Sequence, residues 1–189
     1  MECVILAAGS SSRLGMDKAL VNVGSQTLIS WISRRLSSRV ANITIVANES
    51  NFAEITKIVS DVNVIVNRNP HEGRTGSLKV GIDSIDSSRV KDYRLLVVPV
   101  DRPGFSDSTL DHLICSEETC CPMKEGRGGH PLMLTFEDVD KVRKSSANSP
   151  LREVIEASRF EVIDRFLELN IDTPEDMINL KEKLQLVNE

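Results

Sequence analysis

A loop of small residues near the amino terminus carries two cations that could bind a polyphosphate. It follows the apolar run 3–6, which is predicted to be a strand, and it extends from Gly9 to Lys18 with Arg13 inside it. Small residues let the backbone approach a ligand closely, and their free N–H groups can point at an anion. Loops at the carboxyl ends of strands are also where open α/β sheets bind ligands. The pattern therefore predicts a polyphosphate site; the alternative is an ordinary Ser/Gly connection with two solvated cations.

The spacing of this loop differs from that of the two commonest phosphate-binding motifs. A Walker A loop needs four residues between its glycines and a Ser or Thr directly after its lysine. Here five residues separate Gly9 from Gly15, and Ala19 follows Lys18. The G-x-G-x-x-G spacing of dinucleotide-binding folds is absent from the loop as well.

Two carboxylates stand where they could bind a metal. Asp101 follows residues 95–100, the most continuous apolar run, which is typical of a strand buried on both faces. An unpaired carboxylate there would be costly, so Asp101 either caps the next turn or binds a metal. Asp172 precedes Thr173 and Pro174, which open a predicted helix close to a capping box. Asp172 is therefore either a further capping acid or a ligand.

Two more polar segments contain candidate binding residues. Segment 67–77 is a long polar loop that leads into a predicted helix, where Ser77 would cap the helix, contact a ligand, or do both. Three glycines between positions 126 and 129 predict a loop that can wrap around a ligand. Arg127 and His130 could bind an anion there, and a structural hydrogen bond is the alternative for His130.

The elements that must position these residues alternate along the chain. Strand-like runs at 43–46 and 62–66 are separated from one another and from the first strand by helical patterns, such as Leu28, Ile32 and Leu36. This alternation predicts βαβ units and an α/β fold with a mainly parallel sheet flanked by helices. Residues 160–169 mix apolar and charged side chains and predict edge strands. We expect one domain over residues 1–189.

Composition and charge limit the function classes. The 189 residues are 40% apolar and 27% charged, which is ordinary for a globular protein, and the net charge of −5 argues against a general nucleic-acid binder. No apolar stretch is long enough to span a bilayer, and the amino terminus does not resemble a signal peptide, so we expect a cytoplasmic protein. Adjacent Cys120 and Cys121 would point to opposite faces of a strand, which favours buried thiols over a shared zinc site.

The motifs together resemble a known family. Residues Leu6 to Lys18 are similar to the L-A-A-G-x-S-x-R-x-G-x-x-K pattern of nucleotidyltransferases with a GT-A-like Rossmann fold, and most closely to the MobA/MocA-like molybdenum cofactor nucleotidyltransferases. The segments around Ser77, Asp101, His130 and Asp172 resemble the family's N-P…G…S-L, L-x-D-x-P, G-x-x-G-H-P and I-D-T-P-E-D motifs. The resemblance implies a three-layer Rossmann-like fold in which a mainly parallel sheet is flanked by helices.

The resemblance also implies a role for each matched residue. It assigns nucleotide binding to Leu6, Ala7, Ala8, Gly9, Arg13, Lys18 and Ser77; catalysis to Arg13, Lys18 and Asp101; Mg²⁺ binding to Asp101 and Asp172; and acceptor binding to Arg127 and His130. The chain departs from the family in two places. Arg102 stands where Gln or Met is common, and Asn170 stands where many relatives have an acid.

The implied reaction is the transfer of a nucleotide from an NTP to a phosphorylated acceptor with release of pyrophosphate. Ala8 and the Gly129-His130-Pro131 string are typical of relatives that use CTP and molybdopterin, whereas Met16-Asp17-Lys18 is more like the guanylyl branch. We therefore expect CTP rather than GTP, with the molybdenum cofactor as acceptor. The alternatives are a sugar, alditol or cobinamide phosphate as acceptor, or a nucleotide-binding protein without turnover.

Overall fold

The chain forms a large sheet and a small two-stranded ribbon. The computed structural model describes residues 1–88 and 92–188. The strands are β1 (Glu2–Ala7), β2 (Asn22–Val23), β3 (Gln26–Thr27), β4 (Asn42–Ala47), β5 (Asn63–Val66), β6 (Leu95–Pro99), β7 (Cys120–Lys124), β8 (Arg127–Gly128), β9 (Leu132–Leu134) and β10 (Ser158–Glu161). The order in the large sheet is β10-β7-β9-β6-β1-β4-β5, with β8 paired to β7, and β2 pairs with β3 in the ribbon.

Helices follow most of the strands. They are α1 (Leu28–Ser37), α2 (Phe52–Ile58), α3 (Gly73–Ser88), α4 (Asp107–Cys115), α5 (Phe136–Lys144), α6 (Leu151–Val154) and α7 (Leu180–Gln185). Short 3-10 helices cover Lys18–Leu20, Pro70–Glu72 and Pro174–Met177. Within the described ranges, no helix is both long and apolar enough to cross a membrane.

Parallel pairing dominates the centre of the large sheet. Strand β1 lies between β4 and β6 and is parallel to both, and β5 continues the parallel order beyond β4. Strand β9 runs antiparallel to β6 and β7, and β10 is parallel to β7. The prediction of a mainly parallel α/β sheet is confirmed. The antiparallel strand β9 was not predicted, because three apolar residues after a Gly-rich loop carry no signal of strand direction.

Side chains alternate between two cores, one on each face of the sheet. Cys3 and Ile5 of β1 belong to the core that includes Ile32 of α1. Val4, between them, belongs to the second core together with Leu78 of α3. This alternation is the period-two pattern of a strand covered on both faces, and it confirms the three-layer arrangement.

Strand β6 confirms the prediction of a fully buried central strand. All five of its residues are buried, and Pro99 is its last residue, so the missing N–H of Pro99 does not interrupt the middle of the strand. The next residue, Val100, donates its N–H to the carbonyl of Leu6 at 3.0 Å. This bond brings the end of β6 beside the end of β1, where the small-residue loop begins.

Two predictions about the later strands had different outcomes. Cys120 and Cys121 belong to opposite cores, as predicted. The prediction of edge strands over residues 160–169 was right only at its start: β10 is an edge strand, but it ends at Glu161 and turns follow. The buried Asp164 carboxylate accepts hydrogen bonds at 2.8 Å from the backbone N–H of Ser106 and the hydroxyl of Thr109. These bonds hold the chain at the start of α4 and away from the sheet edge.

Candidate active site

The loop between β1 and the first 3-10 helix is curled and open to a cavity. The Ser11 hydroxyl accepts a hydrogen bond from the backbone N–H of Lys18 at 3.1 Å, and the Ser11 carbonyl accepts one from Leu14 at 3.1 Å. Gly15 has a φ of 75°, which favours glycine. A Cβ added at Gly9 would have no atom within 4 Å. The backbone near Gly9 can therefore be approached closely by a ligand.

Asn51 ties the two ends of this loop together. Its side-chain amide donates to the carbonyl of Ala7 at 2.9 Å and to the carboxylate of Asp17 at 2.7 Å. Asp17 in turn accepts from the N–H of Ala19 at 2.9 Å, and burial raises the pKa of its carboxyl group. The sequence interpretation missed Asn51. The available signal was its place just after β4, since carboxyl ends of adjacent parallel strands share an edge.

The two predicted metal ligands lie together although 71 positions separate them in the chain. The N–H of Ile171 donates to the carbonyl of Asp101 at 3.0 Å, which brings Asp172 beside the end of β6. The ammonium of Lys18 forms an ion pair with Asp172 and lies 3.5 Å from the Asp101 carboxylate. The guanidinium of Arg13 lies 3.1 Å from the other Asp172 oxygen. The structure thus brings together the four charged residues that the resemblance assigns to the triphosphate and the metal.

Neighbouring groups keep Asp172 ionised. The hydrogen bond from Lys18 lowers the pKa of Asp172 most, and the amide of Asn170 at 2.6 Å and the charge of Arg13 lower it further. The N–H of Asp172 itself donates to the Asp176 carboxylate at 2.9 Å. Asp176 also accepts from the N–H of Thr173 at 2.7 Å, as the predicted capping box requires.

These oxygen groups fit a hard divalent cation. Two carboxylates already surround one cationic group, the Lys18 ammonium, and the buried side-chain oxygen of Asn170 has no partner among the described residues. Residues 1–88 and 92–188 contain no cluster of three or more His, Cys, Asp or Glu side chains placed to hold a metal. Mg²⁺ is typically bound by one or two carboxylates and completed by phosphate oxygens and water. Asp101 and Asp172 suit that mode of binding.

A polar cavity of 310 Å³ lies over this group of residues. Its walls come from the loop after β1, the start of α3, the end of β6 and the segment before Asp172. The lining residues include Leu6, Ala7, Ala8, Gly9, Arg13, Lys18, Ser77, Asp101 and Asp172. Every residue predicted to bind the nucleotide or the metal therefore lines one cavity.

Ser77 lies in this cavity but does not cap a helix. Helix α3 begins four residues earlier, at Gly73, so the N-cap interpretation was wrong. The Ser77 hydroxyl donates to the carbonyl of Gly73 at 3.2 Å and accepts from the Asn67 amide at 3.0 Å. Gly73, with a φ of 83°, lets the chain pass directly from the 3-10 helix Pro70–Glu72 into α3. Contact between Ser77 and a base stays a prediction.

A second cavity of 1190 Å³ adjoins the first. Leu6, Gly73, Arg74 and Pro99 line both cavities. His130 lines only the second, and its Nδ1 atom is buried without a partner among the described residues.

Burial, followed by the charges of Arg74 and Arg102, lowers the pKa of His130 to about 4, and the Asp101 carboxylate opposes this shift. His130 is therefore neutral near pH 7. Arg127, the other predicted acceptor-binding residue, is exposed on β8 and lies outside the lining of both cavities. Its predicted role stays a prediction.

The fold and the cavities define a three-layer α/β protein with a polar, loop-lined site at the carboxyl ends of its central strands. The family model described as a MobA-like NTP transferase domain matches residues 3–162. Because this match covers most of the chain, the protein belongs to the family of MobA-like NTP transferase domains.

Curated relatives agree with this assignment, and a solved structure shares the fold. A molybdenum cofactor guanylyltransferase of Vibrio atlanticus (strain LGP32) is 30% identical over 125 residues, 65% of this chain and 56% of that protein, so the chain spans little more than half of it. A molybdenum cofactor cytidylyltransferase of Escherichia coli (strain K12) is 20% identical over 192 residues, 97% of this chain and 96% of that protein. The fold is similar to that of Rv0371c from Mycobacterium tuberculosis H37Rv, with a TM-score of 0.80 and 18% identity over 96% of each chain. A manganese complex of Rv0371c is also known.

Proposed function

We propose that this protein is a Mg²⁺-dependent nucleotidyltransferase that moves a nucleotide from an NTP to a phosphorylated acceptor. The observation that carries the proposal is the convergence of Arg13, Lys18, Asp101 and Asp172 at one cavity lined by the backbone of the loop after β1. A cavity with cations and two carboxylates suits a triphosphate and its metal, because each phosphate charge meets an opposite charge.

The roles of the charged residues follow from their present contacts. Arg13 and Lys18 would bind the β and γ phosphates, which requires Lys18 to leave the carboxylates that it now contacts. Asp101 and Asp172 would hold Mg²⁺, which offsets charge on the phosphates and on the leaving pyrophosphate when bound. The side chain of Arg13 is 72% exposed, so Arg13 can turn towards a ligand without losing core packing.

The chemistry needs no side-chain nucleophile. A phosphate oxygen of the acceptor forms a bond to the α-phosphorus, the bond from that phosphorus to the bridging α–β oxygen breaks, and pyrophosphate leaves with the bonding electron pair. The protein accelerates such a step by positioning the two reactants and offsetting charge. The second cavity, which shares a wall with the first, offers room for the acceptor.

The acceptor and the base are the finer parts of the proposal. Relatives named for the molybdenum cofactor support molybdopterin or the molybdenum cofactor as acceptor. Ala8 and the Gly-His-Pro string ending at Pro131 support CTP. GTP is the second candidate, because the matching relatives are mostly guanylyltransferases and Met16 to Lys18 resemble that branch.

A pyrophosphate-release assay tests the proposal directly. The purified protein would receive Mg²⁺, the molybdenum cofactor, and either CTP or GTP. Pyrophosphate release with CTP alone supports the full proposal. Release with GTP alone supports the proposed reaction but shows that the preferred nucleotide is GTP rather than CTP. Pyrophosphate release only with a sugar, alditol or cobinamide phosphate would show that this compound, and not the molybdenum cofactor, is the acceptor. If the protein binds the nucleotide but releases no pyrophosphate in the presence of any of these acceptors, the result would contradict the proposal and favour a nucleotide-binding protein without turnover.

A further inference from the structure

Two arginines at the boundary between the cavities have no acidic partner among the described residues. Arg74 lines both cavities, and the structure gives its exposed side chain no ion pair or hydrogen bond within residues 1–88 and 92–188. Arg102 lines the first cavity. Its Nη1 atom donates over 3.4 Å to the carbonyl of Glu168, and its Nε atom is buried without a partner among the described residues. A buried donor without an acceptor is costly, which points to an anion that completes it.

The positive charge of both arginines reaches the second cavity. Their charges lower the pKa of His130 in addition to the larger effect of burial. The Asp101 carboxylate raises the pKa of His130, but this pKa remains below its ordinary value. The charges of Arg74 and Arg102 therefore act on a group that lines the second cavity, although Arg102 itself lines only the first.

We propose that Arg74 and Arg102 bind the phosphate monoester of the acceptor and hold it beside the α-phosphorus of the nucleotide. This inference rests on the proposed function. A phosphate nucleophile and a triphosphate repel each other, so their approach requires fixed positive charge between them. A guanidinium group supplies that charge together with two parallel N–H donors that match phosphate oxygens. Arg102 directly follows the predicted metal ligand Asp101, and Arg74 faces both cavities, so the pair lies where the two substrates must meet.

Neutral variants separate this role from nucleotide binding. We expect Arg74→Gln and Arg102→Gln each to raise the KM for the phosphorylated acceptor about 10- to 100-fold, as the loss of a charge-assisted hydrogen bond predicts. The Kd for the NTP, measured by calorimetry, should stay within about twofold because these arginines contact the acceptor phosphate. Arg102→Lys should recover part of the loss, since it keeps the charge and loses the second donor. Arg68→Gln, an exposed arginine outside both cavities, is the matched control.

A binding experiment tests the same site without turnover. Inorganic phosphate would be titrated by ³¹P NMR into the free protein, and into the protein saturated with Mg²⁺ and an α,β-methylene analogue of the preferred NTP. Phosphate binding by the wild type and by Arg68→Gln, with loss in Arg74→Gln and Arg102→Gln, supports the inference. Unchanged phosphate binding in both glutamine variants, or no binding by the wild type, would overturn it. Failure of the proposed function would show separately, as absent NTP binding and absent pyrophosphate release in the wild type.

Discussion

The cations of the two adjoining cavities differ in their partners. In the first cavity, Lys18 and Arg13 pair with carboxylates, and Lys18 lies between Asp101 and Asp172. Arg74, which lines both cavities, and Arg102, which lines the first, have no such pairing within the described ranges. Paired cations are already compensated, and under the proposed function they would exchange a carboxylate for a phosphate when the nucleotide and its metal bind. Unpaired cations can attract an anion without first breaking an ion pair.

The contrast suggests two kinds of recognition within one site. Under the proposed function, the paired group of Lys18, Asp101 and Asp172 would take up a cation and a polyanion together, since the carboxylates and the ammonium satisfy one another until then. Arg74 and Arg102 would take up an anion alone. Three experiments test whether the paired and unpaired cations differ in this way.

The largest effect is expected at the carboxylate that follows β6. Asp101→Asn should lower kcat at least 100-fold, because the amide no longer offers a negative charge to the metal. The thermal unfolding midpoint should change little, since asparagine has nearly the same size and shape as aspartate and the ion pair of Asp101 with Lys18 is 3.5 Å long. Asp83→Asn, which changes an exposed acid of α3, serves as the control. Near-normal turnover in Asp101→Asn would show that Asp101 is not a ligand of the catalytic metal.

The next effect is expected from His130 and concerns stability at acid pH. The folded pKa of about 4 lies below the ordinary value of about 6.5, so between these values the unfolded chain binds a proton that the folded chain excludes. The free energy of unfolding should therefore fall by up to about 3 kcal/mol as the pH drops from about 6.5 to about 4.

Urea titrations at several pH values measure this slope. His130→Gln should flatten it, whereas replacing the exposed His71 should leave it unchanged. Equal slopes in the wild type and His130→Gln would show that His130 is not held neutral by burial and the two arginines. In Arg102→Gln we expect the pKa of His130 to rise, because one of the charges that lowers it is gone.

The smallest effect is expected from removing the paired ammonium. Lys18→Met should weaken NTP binding about tenfold, and it should strengthen Mn²⁺ binding without nucleotide about tenfold, because Asp101 and Asp172 lose their competing cation. Calorimetry measures the first change and electron paramagnetic resonance of free Mn²⁺ measures the second. The exposed Lys57→Met is the control. Mn²⁺ binding that is unchanged or weaker would contradict the competition, and an unchanged NTP affinity would contradict the role of Lys18 in nucleotide binding.

Some of the site could be predicted from local sequence. The loop after β1 and Asp101 each follow an apolar strand directly, and the ends of parallel strands share one edge, so their meeting could be expected. For Asp172, local spacing left a capping role and a ligand role open, and only the resemblance favoured the metal. What places it is one backbone bond, from Ile171 to Asp101, between segments far apart in the chain. No local pattern predicts such a bond.

Other features arise only from packing. Asn51 looks like an ordinary residue before a helix, yet it ties Ala7 to Asp17 across the sheet edge. The positions of Arg74 and Arg102 depend on how the start of α3 meets the end of β6, which the alternation of strands and helices does not specify. The start of α3 was misplaced because Gly73 permits a backbone turn that its neighbours do not signal.

The most direct test of the account is a crystal structure with Mn²⁺ and the α,β-methylene analogue of the preferred NTP, with the metal located by its anomalous scattering. We expect the metal peak within ligand distance of the Asp101 and Asp172 carboxylates. The triphosphate should lie along the loop from Gly9 to Lys18, with the Lys18 ammonium moved from the carboxylates to the phosphates. A metal bound elsewhere, or Lys18 still between the two carboxylates with nucleotide present, would contradict the central claim.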